Sequence, residues 1–225
     1  MYKYETHLHT YPVSKCASAS VRDSLEFYKD KGYDGVFITN HFLDGYINVD
    51  PNLPYEDRIN FYFSDYEEGV KIGEEIGIKV FCGVEMSYMG VDFLVYGLDK
   101  QWYLQNPQIM DMKKKDELAF LMENGALIVH AHPFRYDVHN DYIRLMPMHV
   151  HGVEVINACR SDDVNEMGRL YAEHYDLIKF AGSDNHAAKN IRRLAGMTSK
   201  TPINSEAEFV KAVLNREMDI FLEEN

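Results

Sequence analysis

Cysteine is scarce in this sequence, which has 225 residues and only three cysteines. Their number is odd, and their spacing fits neither a disulfide framework nor a CxxC zinc ribbon. So little cysteine is typical of a reducing compartment, and we therefore expect a cytoplasmic protein. Long apolar runs are also lacking. Residues 1–7 contain no apolar signal-peptide core, and no run is long enough to span a bilayer, so we expect no membrane association.

Positive charge is in deficit, with 23 Lys+Arg against 36 Asp+Glu and a net charge of −13 at pH 7. Tight binding of duplex nucleic acid depends on neutralising phosphates with lysine and arginine, so this balance argues against such a partner. The hydrophobic share of 46% is ordinary for a globular protein. We predict a single domain over residues 1–225. The composition predicts no oligomeric state.

Short apolar segments alternate with segments of helical spacing along most of the chain. The predicted strands are 2–8, 35–40, 79–85, 92–97, 126–131, 152–157 and 178–183. The predicted helices are 21–31, 57–76, 107–124, 162–175 and 205–215. Ser205 and Glu208 form a capping-box pattern at the start of the last helix. This alternation indicates parallel βα units, and both an open doubly wound α/β sheet and a barrel fit it.

Metal-binding residue types follow the carboxyl ends of these strands. In a parallel α/β fold those ends converge on one face, which carries the functional site. At the first strand end, the period of two places the imidazoles of His7 and His9 on the same face. Imidazoles and carboxylates together are a ligand set for zinc, manganese or iron. The candidate ligands are His7, His9, His41, Glu85, His132, Asp184 and His186.

Two further HxH pairs occur in the chain, and they are interpreted differently. His132 precedes a proline that fixes the loop geometry, and it is the ligand candidate of its pair. His130 lies two residues earlier and is better explained as a core histidine inside the strand. His149 and His151 precede the sixth strand, at its N-terminal end. In a barrel this end lies on the face opposite the active site, so we interpret both as solvated loop residues.

Six short motifs follow one another along the chain: HLHT at 7–10, GVFITNH at 35–41, GVE at 83–85, AHPFR at 131–135, GVEVIN at 152–157 and GSDNH at 182–186. In this order they resemble the PHP family, the polymerase and histidinol phosphatase domain. The resemblance covers most of the chain, up to His186. It implies a distorted (β/α)₇ barrel, two or three divalent metal ions at the C-terminal face, and phosphoester hydrolysis.

The resemblance also gives each candidate ligand a place in the family's pattern. His7 and His9 match the first HxH motif, and His41 matches the histidine after the second strand. Glu85 matches the carboxylate that bridges two metals. His132 matches the histidine of the HP motif, and Asp184 with His186 match the final DxH motif. Glu85, Asp184 and His186 are the predicted catalytic residues. A clustered metal pair lowers the pKa of a bridging water and supplies hydroxide near neutral pH.

The chain departs from the family's pattern in two places. The family usually has a further ligand a few residues after the first HxH motif, but residues 10–15 contain none. It also often has a histidine in the strand after the bridging glutamate, where Asp92 is a possible substitute. Two ions are therefore the main expectation. Cys16 and Cys159 fall near the predicted site, and we interpret both as small buried thiols.

The predicted substrate is a small soluble phosphate ester, in keeping with the acidic surface. Arg135, Arg160 and Arg192 are the candidate phosphate-binding side chains. Histidinol phosphate, a nucleotide and a sugar phosphate all fit. An amidohydrolase-like metal hydrolase is an alternative, although no lysine stands at a mid-chain strand end to bridge metals. A metal-binding regulatory module that has lost turnover is another.

Overall fold

A computed structural model of the chain describes residues 1–136, 142–189 and 191–225. The described residues form nine strands: β1 Tyr2–Leu8, β2 Gly35–Ile38, β3 Lys79–Tyr88, β4 Val91–Tyr96, β5 Leu127–Ala131, β6 Gly152–Asn157, β7 Ile178–Gly182, β8 Arg193–Ser199 and β9 Asp219–Glu224. They also form the α-helices α1 Val21–Asp30, α2 Tyr55–Ile76, α3 Lys100–Gln105, α4 Lys114–Glu123, α5 Asp162–His174 and α6 Glu206–Leu214. Short 3₁₀ helices span Pro107–Asp111 and Pro147–His149.

All nine strands belong to one sheet, in the order β7-β6-β5-β4-β3-β2-β1-β8-β9. The pairs β1/β2, β2/β3, β5/β6 and β6/β7 are parallel, whereas β4 runs antiparallel to both β3 and β5. A one-domain organisation over residues 1–225 remains our proposal, and the single sheet supports it. In the described ranges no helix has the length and apolar character needed to cross a membrane.

The sheet curls into a barrel because β1 has different neighbours along its length. Tyr2–Tyr4 pairs antiparallel with residues 197–199 of β8. The carboxyl end of β1 instead meets the segment after β7: the His9 amide donates to the Asn185 carbonyl at 3.0 Å, and the Asn185 amide donates to the His7 carbonyl at 3.3 Å. The predicted distorted α/β barrel is confirmed, and its closure brings the end of β7 beside the end of β1.

Aromatic rings fill the barrel interior. Phe37 stacks on Phe81 with ring centroids 4.8 Å apart, and Tyr96 meets Phe37 edge-on at 5.3 Å. Helix α6 inserts Phe209 against these rings, 4.2 Å from Phe37 and 6.1 Å from Phe180. The helix therefore contributes to the barrel core as well as covering it, and the aromatic interior is a rigid base under the polar strand ends.

Replacing Phe209 with alanine is expected to lower the free energy of unfolding by about 3–5 kcal/mol, because it leaves a cavity among rings that cannot collapse into it. Phe209 has no exposed surface. Leu214→Ala on the same helix is the matched control, since Leu214 is 42% exposed, and we expect its effect to stay within about 1 kcal/mol. Chemical denaturation measures both. Equal effects would contradict this account of the barrel core.

The helix boundaries follow local capping chemistry. Ser20 caps α1 by accepting a hydrogen bond from the Asp23 amide at 3.1 Å, and Gly32 follows the helix with a φ of 75°. The predicted cap of α6 is present, with the Ser205 hydroxyl accepting from the Glu208 amide at 3.2 Å. The carboxylate of Glu208 accepts in return from the Asn204 amide at 2.8 Å.

Three features of the fold differ from the sequence prediction. The predicted helix over 107–124 is two elements, because Met112 and Lys113 are extended and separate the 3₁₀ helix from α4. Helix α3 and strands β8 and β9 were not predicted. In β8, Ala195 and Gly196 weaken the pattern expected of a strand, and that strand is stabilised by pairing with β1 and β9. The prediction of parallel units was wrong for β4.

Candidate metal centre

The polar residues at the strand ends meet at the carboxyl end of the barrel. Isolated bridges link residue 41, after β2, to residue 85 in β3, and residue 8 to residue 185 after β7. The contributing elements are the ends of β1, β2, β3, β5 and β7. All seven predicted ligands belong to three overlapping groups of potential ligand atoms, each group lying within 4.8 Å: His7 with Glu85 and His132; His7 with His9 and Asp184; and His9 with Cys16, His41 and His186.

Glu85 lies between four imidazoles. Its Oε1 atom is 3.3 Å from the Nε2 atoms of both His7 and His132. Its Oε2 atom is 3.3 Å from His9 Nε2 and 2.8 Å from His41 Nδ1. One carboxylate therefore contacts four imidazoles from three strand ends, an arrangement that would suit a carboxylate shared by two ions.

Asp184 stands on the other side of the HxH pair. The Nε2 atoms of His7 and His9 are 3.2 Å apart, and each is 3.5 Å from Asp184 Oδ1. The predicted convergence of the two imidazoles on one face is therefore observed. The other oxygen, Oδ2, accepts hydrogen bonds from Asn157 Nδ2 and Arg160 Nη2, both at 3.1 Å.

Cys16 joins the third group, which the sequence did not predict. Cys16 and Cys159 are both exposed residues, so the interpretation of small buried thiols was wrong, although the side chain of Cys16 is partly covered. Partial burial raises the pKa of this thiol, but its contacts with His186 and His41 lower the pKa to about 7. The sequence signal was the position of Cys16 shortly after the first HxH motif, where the family usually has a further ligand.

Hydrogen bonds orient three of the imidazoles. The Nδ1 atom of His7 is 2.8 Å from Glu154 Oε1, that of His9 is 3.2 Å from Ser14 Oγ, and that of His186 is 2.8 Å from the Asp184 carbonyl. With Nδ1 engaged in each ring, Nε2 is left to face a ligand, and such outer contacts fix the tautomer of metal-binding histidines. None of these orienting contacts was predicted.

Glu154 holds several parts of the centre together. It accepts from the His132 amide at 3.0 Å and from Asn157 Nδ2 at 2.9 Å, besides its contact with His7. Gly182 makes this arrangement possible, because a Cβ there would lie 2.5 Å from the His7 Cβ and 2.9 Å from Glu154 Oε1. The sixth strand therefore supports the centre through a residue that contacts the candidate ligands.

Two of the candidate ligands have a left-handed backbone. His132 has a φ of 27° and Asp184 a φ of 54°. Non-glycine residues rarely adopt positive φ, and such strain concentrates at functional sites where surrounding contacts impose it. Here the imposing contacts are the Glu154 carboxylate on the His132 amide and the Asn157 amide on the Asp184 carboxylate.

The residues fit a divalent cation. Glu85 is 1% exposed, and neither of its oxygens forms a hydrogen bond among the described residues. A buried carboxylate without partners is costly, and positive charge in contact with it removes that cost. The surrounding donors are imidazoles and carboxylates, the set that zinc, manganese and iron accept.

Comparison with known proteins agrees with this geometry. Residues 163–218 match the model of the PHP-associated family, PHP_C. A two-domain protein from Bacteroides vulgatus ATCC 8482, which contains a predicted PHP-like metal-dependent phosphoesterase, is similar over 98% of this chain and 64% of its own, with a TM-score of 0.71 and 16% identity. The chain therefore has the fold of a PHP-like protein, and its residues 163–218 are similar to the PHP-associated family. It spans less than two thirds of that relative.

Two other structures share the fold of this chain. One is a proposed metal-dependent phosphoesterase from Bifidobacterium adolescentis ATCC 15703. The similarity covers 97% of this chain and 97% of that one, with a TM-score of 0.57 and 14% identity. The other is an amidohydrolase from Chromobacterium violaceum with bound sulfate and no metal. The similarity covers 96% of this chain and 97% of that one, with a TM-score of 0.59 and 14% identity. No curated protein matches the chain.

Electrostatics favour the ligand-competent protonation states of the two carboxylates and of His9. For His7 and His41, burial lowers the pKa, but nearby carboxylates outweigh burial and raise it. Burial raises the pKa of Glu85, but the neighbouring His41, His7 and His9 bring it well below its usual value. Asp184 follows the same direction, as burial is outweighed by His7 and the other nearby imidazoles. Burial and the neighbouring His186 lower the pKa of His9 to about 3. Ionised carboxylates and a neutral imidazole are the forms that bind metal.

Asp92 and His130 stand apart from the three groups. The carboxylate of Asp92 accepts from Ser87 Oγ at 2.7 Å and lies 3.4 Å from Arg135 Nη1. His130 stacks on Phe93 at 5.2 Å, and burial followed by the charge of His132 lowers its pKa to about 3. Its position matches that predicted for a core histidine. In the described part of the chain, neither side chain belongs to a potential ligand group.

His151 corrects the interpretation of the last HxH pair. It is only partly exposed, and its Nδ1 atom accepts a hydrogen bond from the Ile128 amide at 3.1 Å. It is therefore a structural contact to β5 at the start of β6, not a solvated loop residue. His149 is also only partly exposed.

A cleft of about 650 Å³ opens beside Asp184 and His186. Arg160 and Arg192, two of the predicted substrate-binding residues, line it, as do Lys189 and Arg193. Arg193 pairs with Asp162, and the side chain of Arg192 is 87% exposed at the rim. Among the described residues the lining does not include Arg135, whose Nη1 atom lies 3.4 Å from Asp92 Oδ2.

Proposed function

We propose that this chain is a PHP-family, metal-dependent hydrolase of a small phosphate ester. The observation that carries the proposal is the position of Glu85, a buried carboxylate between four imidazoles and without a hydrogen bond in the described ranges. Two or three divalent ions, zinc, manganese or iron, would be held by His7, His9, His41, Glu85, His132, Asp184 and His186. Such ions supply a hydroxide near neutral pH and offset charge on a leaving oxygen.

The protein's own side chains then bind and orient the ester. Arg160 donates to Asp184 Oδ2 at 3.1 Å and also lines the cleft. Its other N–H groups point to a role in holding a phosphate oxygen next to the ions, because guanidinium groups bind phosphate through several donors. Arg192 and Lys189 add positive charge at the mouth. Asp184 would be placed between the ester and the HxH pair, and Glu154 would keep His7 in its ligating orientation.

The cleft supports a small substrate rather than a polymer. Its size of about 650 Å³ suits a drug-sized or smaller ligand, and the net charge of −13 opposes a long polyanion. A histidinol phosphate, a nucleotide or a sugar phosphate meets these conditions. A cytoplasmic location remains a prediction from the low cysteine content.

An amidohydrolase is the second candidate, and the similarity to the Chromobacterium violaceum amidohydrolase favours it. An imidazole and carboxylate centre can polarise an amide carbonyl as readily as a phosphoryl group. The phosphoesterase proposal is preferred because the cleft next to Asp184 and His186 is lined by several cations, which a neutral amide does not require. The third candidate is a metal-binding regulatory module with little turnover.

Metal removal followed by a substrate panel tests these proposals. The protein would be stripped with a chelator, reloaded with zinc, manganese or iron, and assayed on phosphomonoesters, phosphodiesters, amides and lactones. We expect phosphoester hydrolysis that disappears on chelation and returns on reloading. Hydrolysis of amides or lactones alone would favour the amidohydrolase. Two or more bound ions by elemental analysis, with no hydrolysis of any substrate, would favour the regulatory module.

A further inference from the structure

The third potential ligand group contains a sulfur atom. The Cys16 thiol and one ligand atom from each of His9, His41 and His186 lie within 4.8 Å of one another. His9 and His186 stack with ring centroids 4.3 Å apart, and His9 and His41 are 4.6 Å apart. Imidazole nitrogen and thiolate sulfur are both ligands that zinc accepts, and zinc usually has four ligands.

Backbone hydrogen bonds hold the Cys16 loop between the other two ligand-bearing loops. On one side, the Ser18 amide donates to the carbonyl of His186 at 2.8 Å. On the other, the Lys15 amide donates to the Tyr46 carbonyl at 3.0 Å, in the loop that follows His41. Cys16 is therefore placed between His41 and His186 by contacts on both of its neighbouring segments rather than by an isolated turn.

Buried polar atoms without a hydrogen bond lie at the edge of this group, between His41 and Glu85. The Nδ1 atom of His41 is buried and has no hydrogen-bond partner among the described residues. It lies 2.8 Å from Glu85 Oε2, which also has none in those ranges. A cation beside these atoms satisfies both, so the evidence for an ion here does not depend on the cysteine.

We propose that Cys16 is a thiolate ligand to an ion held together with His41 and His186, and that this sulfur makes the site prefer zinc to manganese. The inference deepens the proposed function and rests on it for the ions at the adjoining His7 and His9 positions. On binding, a sulfur–metal bond forms and the thiol proton passes to solvent, with no change of oxidation state. Thiolate selects zinc, whereas manganese favours oxygen ligands.

Cobalt substitution tests for the sulfur ligand without relying on turnover. The full-length protein, stripped and reloaded with Co²⁺, should show a near-ultraviolet thiolate-to-cobalt charge-transfer band. Cys16→Ser should lose this band while the visible bands of cobalt at the neighbouring ligands remain. Cys159→Ser is the matched control, because Cys159 is also an exposed thiol, with its Sγ atom 3.4 Å from the Asp184 carbonyl. It should keep the band.

Zinc affinity and thiol protection give a second readout. Cys16→Ser should weaken zinc binding at this site at least about 100-fold, the upper end of the loss caused by removing a group that only orients a ligand. Manganese binding should change much less. Cys16→His should restore the ion count without the charge-transfer band. In the unaltered protein, zinc should slow alkylation of Cys16, and the zinc effect should persist in Cys159→Ser.

The outcomes separate this inference from the proposed function. Bound cobalt without a sulfur band, or alkylation of Cys16 at the same rate with and without zinc, would overturn the thiolate ligand while the metal centre stands. A band that disappears in Cys159→Ser instead of Cys16→Ser would do the same. Failure of the unaltered protein to bind any ion would overturn the proposed function itself.

Discussion

Replacing Asp184 with asparagine is expected to lower kcat/KM for a phosphate ester at least about 100-fold and to reduce the bound metal. The side chain keeps its shape but loses the charge that faces the Nε2 atoms of His7 and His9, each 3.5 Å from Oδ1. The amide also cannot accept as well from Arg160, which is 3.1 Å from Oδ2. Steady-state kinetics and elemental analysis on the same preparation measure both effects.

Asp30→Asn is the control for this variant, because Asp30 is an exposed carboxylate at the end of α1. It should retain full activity and full metal content. Circular dichroism of both variants checks that the fold is unchanged. An Asp184→Asn protein with full activity and full metal content would exclude the proposed role of this carboxylate.

Glu85→Gln is expected to have the largest effect on metal content. The Glu85 carboxylate contacts His7 and His132 through one oxygen, at 3.3 Å, and His9 and His41 through the other, at 3.3 and 2.8 Å. If Glu85 bridges two ions as proposed, loss of its charge would remove one interaction from each of them. We therefore expect a larger loss of ions than for Asp184→Asn, and a fall in kcat/KM of at least about 100-fold.

Glu123→Gln is the control for Glu85→Gln, because it removes one negative charge from an exposed carboxylate at the end of α4 and not from the metal centre. That variant should bind as many ions as the unaltered protein. If Glu85→Gln lost activity but kept every ion, Glu85 would act on the substrate and not as a bridge. If both variants lost ions equally, the loss would be a general effect of charge on the acidic chain.

The sequence predicted that the candidate ligands lie close together, because their positions depend on local rules. His7 and His9 share a face because side chains alternate in a strand. Asp184 and His132 directly follow strands whose carboxyl ends converge in any parallel barrel. His9 and His132 each lie 3.3 Å from the same Glu85 carboxylate, so the convergence that the pattern required is present. Their function as ligands stays a proposal.

The sequence predicted less well where long-range contacts decide a residue's surroundings. Cys16 lies in a loop whose position depends on hydrogen bonds to the chain near His186 and Tyr46, so its neighbours could not be found from spacing. Asp92 was a possible ligand by position, yet Ser87 and Arg135 occupy its carboxylate. Arg135 followed a promising motif, but among the described residues the cleft is lined by Arg160 and Arg192 instead.

By itself, the sequence determined the alternation of strands and helices, and the identity of the residues that end the strands. Both depend on the periodicity of side chains and on local capping, which a few neighbouring residues fix. Only the tertiary structure decided how β1 meets the end of β7, which imidazoles share Glu85, and that Cys16 joins them. These arrangements arise from barrel closure and from hydrogen bonds between residues far apart in the sequence, such as the bond from the Ser183 amide to the Glu5 carboxylate, 178 positions away.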